Sequence, residues 1–259
     1  MILLYLLATL SLGITAIIVT VVIGGSCVIA ALFHVKDRAG SVYDLAPRWW
    51  SKIVLFATGV RVTTHDFDRA EIGKAHIFVS NHISWYDIPA LASILHRTKF
   101  VAKAELFKIP IFGAAMKAAG MIAIERQNRK AAFAAYDDAA KQIGEGNCVI
   151  VFPEGTRGLD YRLRPFKKGP FVLAVAAGVP IVPVLIHGTL EVIGKGSMLV
   201  HPRRVDVHFL EPVAVAGYDY EHRDALAAVV RGRIAEALSR IYGIESEVLD
   251  VEQNSTAEI

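Results

Sequence analysis

Residues 80–90 read Ser80-Asn81-His82-Ile83-Ser84-Trp85-Tyr86-Asp87-Ile88-Pro89-Ala90. The run before them, His76-Ile77-Phe78-Val79, is short, apolar and partly β-branched, so it reads as a buried strand. After Ser84, residues Trp85, Ile88, Leu91, Ala92 and Leu95 recur at helical spacing. His82 and Asp87 therefore stand at the exit of a strand and in the first turn of a helix. A general base needs such a place, because the strand aims it and the loop leaves it reachable. The same residues have a structural reading. Ser84-Trp85-Tyr86-Asp87 is a capping box with Asp in place of Glu, and a lone histidine at a strand end is commonly a polar loop residue. The two readings are compatible, since a carboxylate held in a first helical turn can orient an imidazole.

Outward from this stretch, strands alternate with helices. The pattern predicts strands at Val60–Thr64, His76–Ser80, Phe100–Ala102, Met121–Ile124, Cys148–Phe152, Ile181–Leu185 and Val205–Phe209. It predicts helices at Trp85–His96, Ile111–Ala119, Arg129–Ile143, Lys168–Ala177 and Arg223–Tyr242. The expected class is α/β, a largely parallel sheet flanked by helices, with ligands beyond the strand C-termini. An N-terminal hydrophobic, membrane-anchoring helical segment precedes it. We divide the chain into an anchor and interfacial helix (1–58), the α/β domain (59–244) and a polar tail (245–259).

The anchor is read from Ile2–Phe33, 32 positions without a charged residue, against the roughly 20 that cross a bilayer as a helix. Gly24-Gly25-Ser26 interrupts the run, so one long tilted helix and a span with a shallow second piece are both open. A cleaved signal peptide wants a basic start and a shorter apolar region, so a retained anchor fits better. Lys36, Arg38, Arg48 and Lys52 follow the run and no Lys or Arg precedes it, which sets the domain on the cytoplasmic side. Pro47–Phe56 mixes basic residues, paired Trp and aliphatics, the parts of a helix at a membrane surface or of a core helix with a basic outer face.

A net charge of +3 on 259 residues gives no sign of a nucleic-acid partner. Two cysteines and no His/Cys cluster at zinc spacing give neither a disulfide framework nor a metal site. His201, His208 and Glu211 read as strand and loop residues. Four strand ends carry polar residues that a core does not require: Asn81-His82, Lys103, Glu125-Arg126 and Glu154-Gly155-Thr156-Arg157. Any one of them is commonly a solvated end, and Pro153-Glu154-Gly155 reads equally as a turn. Four within 80 residues point to a shared edge where Arg and Lys hold a phosphate and Gly155 lets the backbone approach it.

Those residues resemble a known family. Asn81–Asp87 is similar to the His-four-residues-Asp block of the glycerolipid acyltransferases, and Gly120–Arg126 resembles their second block. Phe152–Arg157 resembles the third and Val179–Val184 the fourth, in the same order, over about Val60 to Glu211. Glu125 stands where the family often has Asp, and Gly158 where Ser is common. The resemblance, nearest to the bacterial 1-acylglycerol-3-phosphate acyltransferases, implies acyl transfer from acyl-CoA or acyl carrier protein to lysophosphatidic acid. It implies His82 as general base, Asp87 orienting it, and Lys103, Arg126 and Arg157 on the acceptor phosphate. It also places Gly155 and Thr156 in the substrate site, with Glu154 holding a glycerol hydroxyl or positioning an arginine. No cofactor beyond the thioester co-substrate and no metal are expected. The partners implied are membrane lipids and the acyl carrier, at a bacterial inner membrane.

Other acceptors stay open within the family: glycerol 3-phosphate, another lysophospholipid, a lyso-ornithine lipid. A membrane-bound thioesterase or lipid hydrolase would use nearly the same residues. A serine hydrolase would need a Gly-x-Ser-x-Gly elbow, which is absent, and Cys148 opens an apolar strand as a structural thiol would. A non-catalytic lipid-binding protein would make the His–Asp pair only a cap.

Overall fold

The computed structural model describes residues 2–125 and 129–247, with backbone only for 129–134. The chain opens with α1 (Ile2–Val19), a π-helical segment (Thr20–Gly24) and α2 (Gly25–Leu32), which run on as 31 residues of helix, about 46 Å long. The glycines do not break it. The helix widens in the turn leading up to them, where Trp50 Nε1 donates to Thr20 Oγ1 at 2.9 Å. Then follow α3 (Val42–Ala57), β1 (Arg61–His65), β2 (Ile77–Ser80), α4 (Asp87–Ile94), β3 (Thr98–Lys103), α5 (Phe112–Ala118) and β4 (Ile122–Ile124). The rest is α6 (Arg129–Gly144), β5 (Cys148–Val151), α7 (Gly169–Ala177), β6 (Ile181–His187), α8 (Thr189–Val192), β7 (Arg204–Phe209) and α9 (Arg223–Tyr242). Each expected strand and helix is present with ends within two residues; α8 was not foreseen.

The strands form one sheet in the order β1-β7-β6-β2-β5-β3-β4. Strands β6, β2, β5, β3 and β4 run the same way; β7 lies antiparallel to β6, and β1 parallel to β7. The sheet is α/β and largely parallel, as expected, with a two-strand reversed edge. Strands β2, β5, β3 and β4 are consecutive neighbours, so the four polar exits share one edge.

Apolar side chains alternate between two buried layers, as the period of a strand requires. Ile77, Val79, Val149 and Val151 pack with Ala139 of α6, Phe171 of α7 and Val230 of α9. Phe78, Ile150 and Val182 pack on the other face with Leu91 of α4, Leu55 of α3 and Ala8 of α1. Leu91 is fully buried, and its truncation to Ala would cost about 2–5 kcal/mol.

The front segment is part of this packing. Ser11 Oγ donates to the Ala57 carbonyl (2.8 Å), the Val200 N–H donates to Thr9 Oγ1 (2.9 Å), and the Tyr5 ring lies 4.2 Å from that of His201. The polar positions of α1 thus face the domain, while Leu3, Leu6, Leu7, Leu10, Ile14 and Ile17 face outward. The change at residue 58 is one of composition rather than a break in packing. On α3, Val54 and Leu55 are buried while Trp49 and Phe56 are exposed, with Lys52 Nζ 5.4 Å from the Trp49 ring. That helix serves the core and presents an aromatic, basic outer face.

Candidate functional site

Strand β2 ends at Ser80, and Asn81 continues its pairing by side chain. The Asn81 Nδ2 donates to the Ile186 carbonyl (2.9 Å) and its Oδ1 accepts the Ile186 N–H (2.8 Å). The backbone reaching His82 is thereby fixed to β6. Helix α4 starts at Asp87, two residues later than its apolar spacing predicts, because Asp87 turns back on the loop. Its Oδ2 accepts the N–H of Ile83 (2.7 Å), the N–H of Ser84 (2.8 Å) and His82 Nδ1 (2.8 Å). Its Oδ1 accepts the Thr189 hydroxyl at 2.6 Å. The return bond to Ser84 is the carboxylate half of the expected capping box. The Ser84 hydroxyl accepts the Tyr86 N–H at 3.3 Å, as an N-cap side chain does, and donates to the Ile193 carbonyl at 2.7 Å.

Four donors converge on a fully buried carboxylate, and one is the histidine. A carboxylate only accepts, so the proton of neutral His82 sits on Nδ1 and the lone pair on Nε2. The ring stacks on Phe152 at 4.2 Å with 22° between planes, and its side chain is 14% exposed. Nε2 makes no hydrogen bond among the described residues. A ring held at one nitrogen and on one face, open at the other nitrogen, can take a proton from a group that approaches it.

The resemblance expects Glu154 to hold a glycerol hydroxyl or to position an arginine. It is 4% exposed, and its carboxylate faces backbone: Oε1 accepts the His82 N–H at 2.9 Å and Oε2 the Arg164 N–H at 3.4 Å. Burial pushes the carboxyl up to about 7, against the pull of those two N–H groups. Gly155 has φ +74°, a conformation that glycine alone adopts freely, and a Cβ there would meet the Lys167 stem. Thr156 is half-buried beside it. Arg157 sets its guanidinium 4.7 Å over the Trp85 ring, in the loop that carries His82. Lys103 is exposed at the end of β3, on the same edge of the sheet. Arg126 lies outside the described residues.

Residues outside the motifs complete the site. Thr189 follows β6 in a turn shaped by Gly188 (φ +96°), where the Arg204 carbonyl fills the place of a Cβ. The Tyr161 hydroxyl accepts the N–H of Gly188 (2.7 Å) and of Leu190 (3.3 Å) and donates to Glu191 (2.6 Å), bracketing Thr189. Only the Gly-Thr pair after an apolar run signals this turn in the sequence. Lys195 Nζ adds a cation, donating to the Arg157 carbonyl at 3.3 Å.

Beside the His82 loop an apolar cavity of about 320 Å³ runs between the sheet and α1–α3. Trp85 and Tyr86 line it at the loop, Trp50, Ile88, Phe100 and Met121 further in. It has the size and dryness of a site for a small apolar ligand. Among the described residues no cluster of three or more His, Cys, Asp or Glu is arranged to hold a metal ion.

A family model described as Acyltransferase matches residues 60–187. A 1-acyl-sn-glycerol-3-phosphate acyltransferase of Haemophilus influenzae is 32% identical over 218 residues, which is 81% of this chain and 89% of that one. The enzyme of that name from Escherichia coli is 33% identical over 176 residues, 67% of this chain and 71% of that one. A chloroplastic relative from Brassica napus is 35% identical over 167 residues, 64% of this chain, which spans about half (47%) of that longer protein. The crystal structure of the 1-acyl-sn-glycerophosphate acyltransferase PlsC from Thermotoga maritima superposes with a TM-score of 0.78 at 28% identity, covering 94% of this chain and 98% of that one. The chain belongs to the acyltransferase family, among the relatives of the 1-acyl-sn-glycerol-3-phosphate acyltransferases.

Proposed function

We propose that this protein moves a fatty acyl group from an acyl thioester, on coenzyme A or acyl carrier protein, to the sn-2 hydroxyl of lysophosphatidic acid. The product is phosphatidic acid, a step of phospholipid synthesis. The observation that carries this reading is the His82–Asp87 pair, held at 2.8 Å with Nε2 open, beside a dry apolar cavity. A long-chain thioesterase would need both features too; membership of the acyltransferase family favours transfer.

In this reading His82 Nε2 takes the proton of the acceptor hydroxyl as its oxygen attacks the thioester carbonyl. The imidazolium is stabilised by Asp87, whose contacts to Ile83, Ser84 and Thr189 stay in place throughout. The tetrahedral intermediate collapses, the carbon–sulfur bond breaks, and the leaving thiolate takes the proton back from His82. The enzyme forms no covalent bond to the acyl group. General-base help of this kind contributes roughly 10²–10⁴-fold in rate. The acyl chain lies in the cavity behind Trp85 and Tyr86. Arg157 and Lys103, with Arg126, hold the acceptor phosphate at the strand edge, where Gly155 and Thr156 bring backbone close. Glu154 acts by fixing the His82 N–H. Helix α1 rests along a bilayer surface, since its inner side is bonded to the domain from Tyr5 to Ser11. The domain faces the cytoplasm.

The test is thiol release from acyl-coenzyme A and acyl carrier protein with and without lysophosphatidic acid, the lipid product identified by mass. Acceptor-dependent release that yields a diacyl phosphate supports the reading. Release without acceptor would make the protein a thioesterase.

A further inference from the structure

The stretch between Val192 and His201 leaves the domain and returns. Its base is closed by the His201 N–H donating to the Val192 carbonyl (2.8 Å), and its tip is turned by the Ser197 N–H donating to the Gly194 carbonyl (3.1 Å). At that tip Met198 is 81% exposed and Leu199 is also exposed, although neither packs a core nor touches the catalytic pair. Two adjacent exposed apolar side chains at a loop tip are unfavourable in water unless something covers them.

Its neighbours show what it meets. On one side the loop is bonded to α1, through Val200 N–H to Thr9 Oγ1 and the Tyr5–His201 ring contact. The tip therefore borders α1, whose far side carries the outward leucines, along one margin of the domain. On the other side Lys195 reaches the Arg157 carbonyl, and the next loop carries Leu159, 76% exposed. Trp85, half-exposed under the Arg157 guanidinium, completes the path to the mouth of the site. Cations stand along this margin, Lys195 and Arg157. Of the acids nearby, Glu191 takes the Tyr161 hydroxyl and Asp160, exposed, takes the Arg162 N–H in its own turn. Apolar tips flanked by cations, with a Trp, match the headgroup layer of an anionic leaflet.

We propose that the 192–201 excursion is a second membrane-docking element, which sets Met198 and Leu199 into the same anionic leaflet as α1 and holds the mouth of the site against it. This rests on the reading of α1 as membrane-bound. Docking at two places fixes the rotation of the domain about α1, so that Leu159 and Trp85 border the lipid from which the acceptor arrives.

The experiment labels Met198→Cys and, separately, Leu10→Cys with an environment-sensitive fluorophore on the full chain. The native thiols Cys27 and Cys148 are buried. Each protein is mixed with vesicles of phosphatidylglycerol and phosphatidylethanolamine carrying a quencher-tagged lipid. Both labels are expected to shift to the blue and to be quenched on vesicle addition. A label at 198 that stays in water while the label at 10 is quenched overturns the proposal and leaves the anchor standing. If neither is quenched, the anchor reading fails with it. Shielding of the 198 label before vesicles are added also overturns the proposal, in favour of contact with a second copy. In parallel, Met198→Glu/Leu199→Glu is expected to raise the KM for vesicle-borne acceptor about tenfold and to leave a short-chain, water-soluble acceptor within about twofold. An unchanged KM on vesicles, or equal loss on the soluble acceptor, contradicts it.

Discussion

Among the described residues three histidine–carboxylate pairs stand at the same distance; His222–Asp219 is exposed within one turn, and the other two are at least partly buried. His82 and Asp87 meet at 2.8 Å, and so do His65 and Asp206. In the first, the carboxylate is fully buried, takes four donors, and its ring partner is clamped on Phe152. In the second, the side chains are 38% and 22% exposed, and Arg204 shares the carboxylate at 3.2 Å. His65 stacks at 4.2 Å on His208, which is bonded to Tyr242. The first pair lies where parallel strands end, the second on the reversed edge formed by β7 and β1. Distance does not distinguish them. Under the proposed function, what separates a general base from a surface ion pair is the number of fixed contacts behind the carboxylate and an open nitrogen in front.

The sharpest way to break that contrast is at the carboxylates. Asp87→Asn is expected to lower kcat about 10³–10⁴-fold, because an amide no longer enforces the Nδ1–H tautomer. Asp206→Asn should change kcat less than about twofold, and thiol-release kinetics on both variants check this. Glu154 gives the next effect, on stability. Its carboxyl holds its proton up to about 7 in the fold but loses it near 4.5 when unfolded. Between those values the native state binds more protons, so stability falls as pH rises through the window. The loss is on the order of 3 kcal/mol at most. Denaturant unfolding at pH 5 and pH 7.5 should show a smaller decline for Glu154→Gln than for the unsubstituted chain. A smaller effect belongs to Thr189→Val, which removes one of four donors to Asp87. It should lower kcat about tenfold with KM nearly unchanged, the scale of one charged hydrogen bond. The smallest is Tyr161→Phe, two steps from the imidazole, expected to lower kcat about twofold to fivefold through a looser 188–190 turn.

Much of the framework was legible because it rests on local pattern. Apolar runs bounded by glycine or polar residues marked all seven strands, and alternation with helical spacing implied the parallel sheet. The direction of β7 and β1 was not legible, since His208 and Val205 read alike in either direction and pairing is decided by neighbours far away in the chain. His82 and Asp87 were visible as a motif, whereas Thr189 lies 102 residues from Asp87 in a turn too short to carry a period. Glu154 was found but its direction was not. A carboxylate after a strand reads as exposed, and only the packed loops show that it closes on the N–H groups of His82 and Arg164. The polar residues of the front segment were invisible as docking points, because in a hydrophobic run Thr9, Ser11 and Thr20 look incidental.

The most direct test sets His82→Ala beside His65→Ala in one assay of acceptor-dependent thiol release from acyl-coenzyme A and acyl carrier protein. The account predicts that His82→Ala loses at least about 10³-fold, to the level without acceptor, while His65→Ala keeps its rate within about twofold. Comparable losses in both, or retained transfer in His82→Ala, would contradict it.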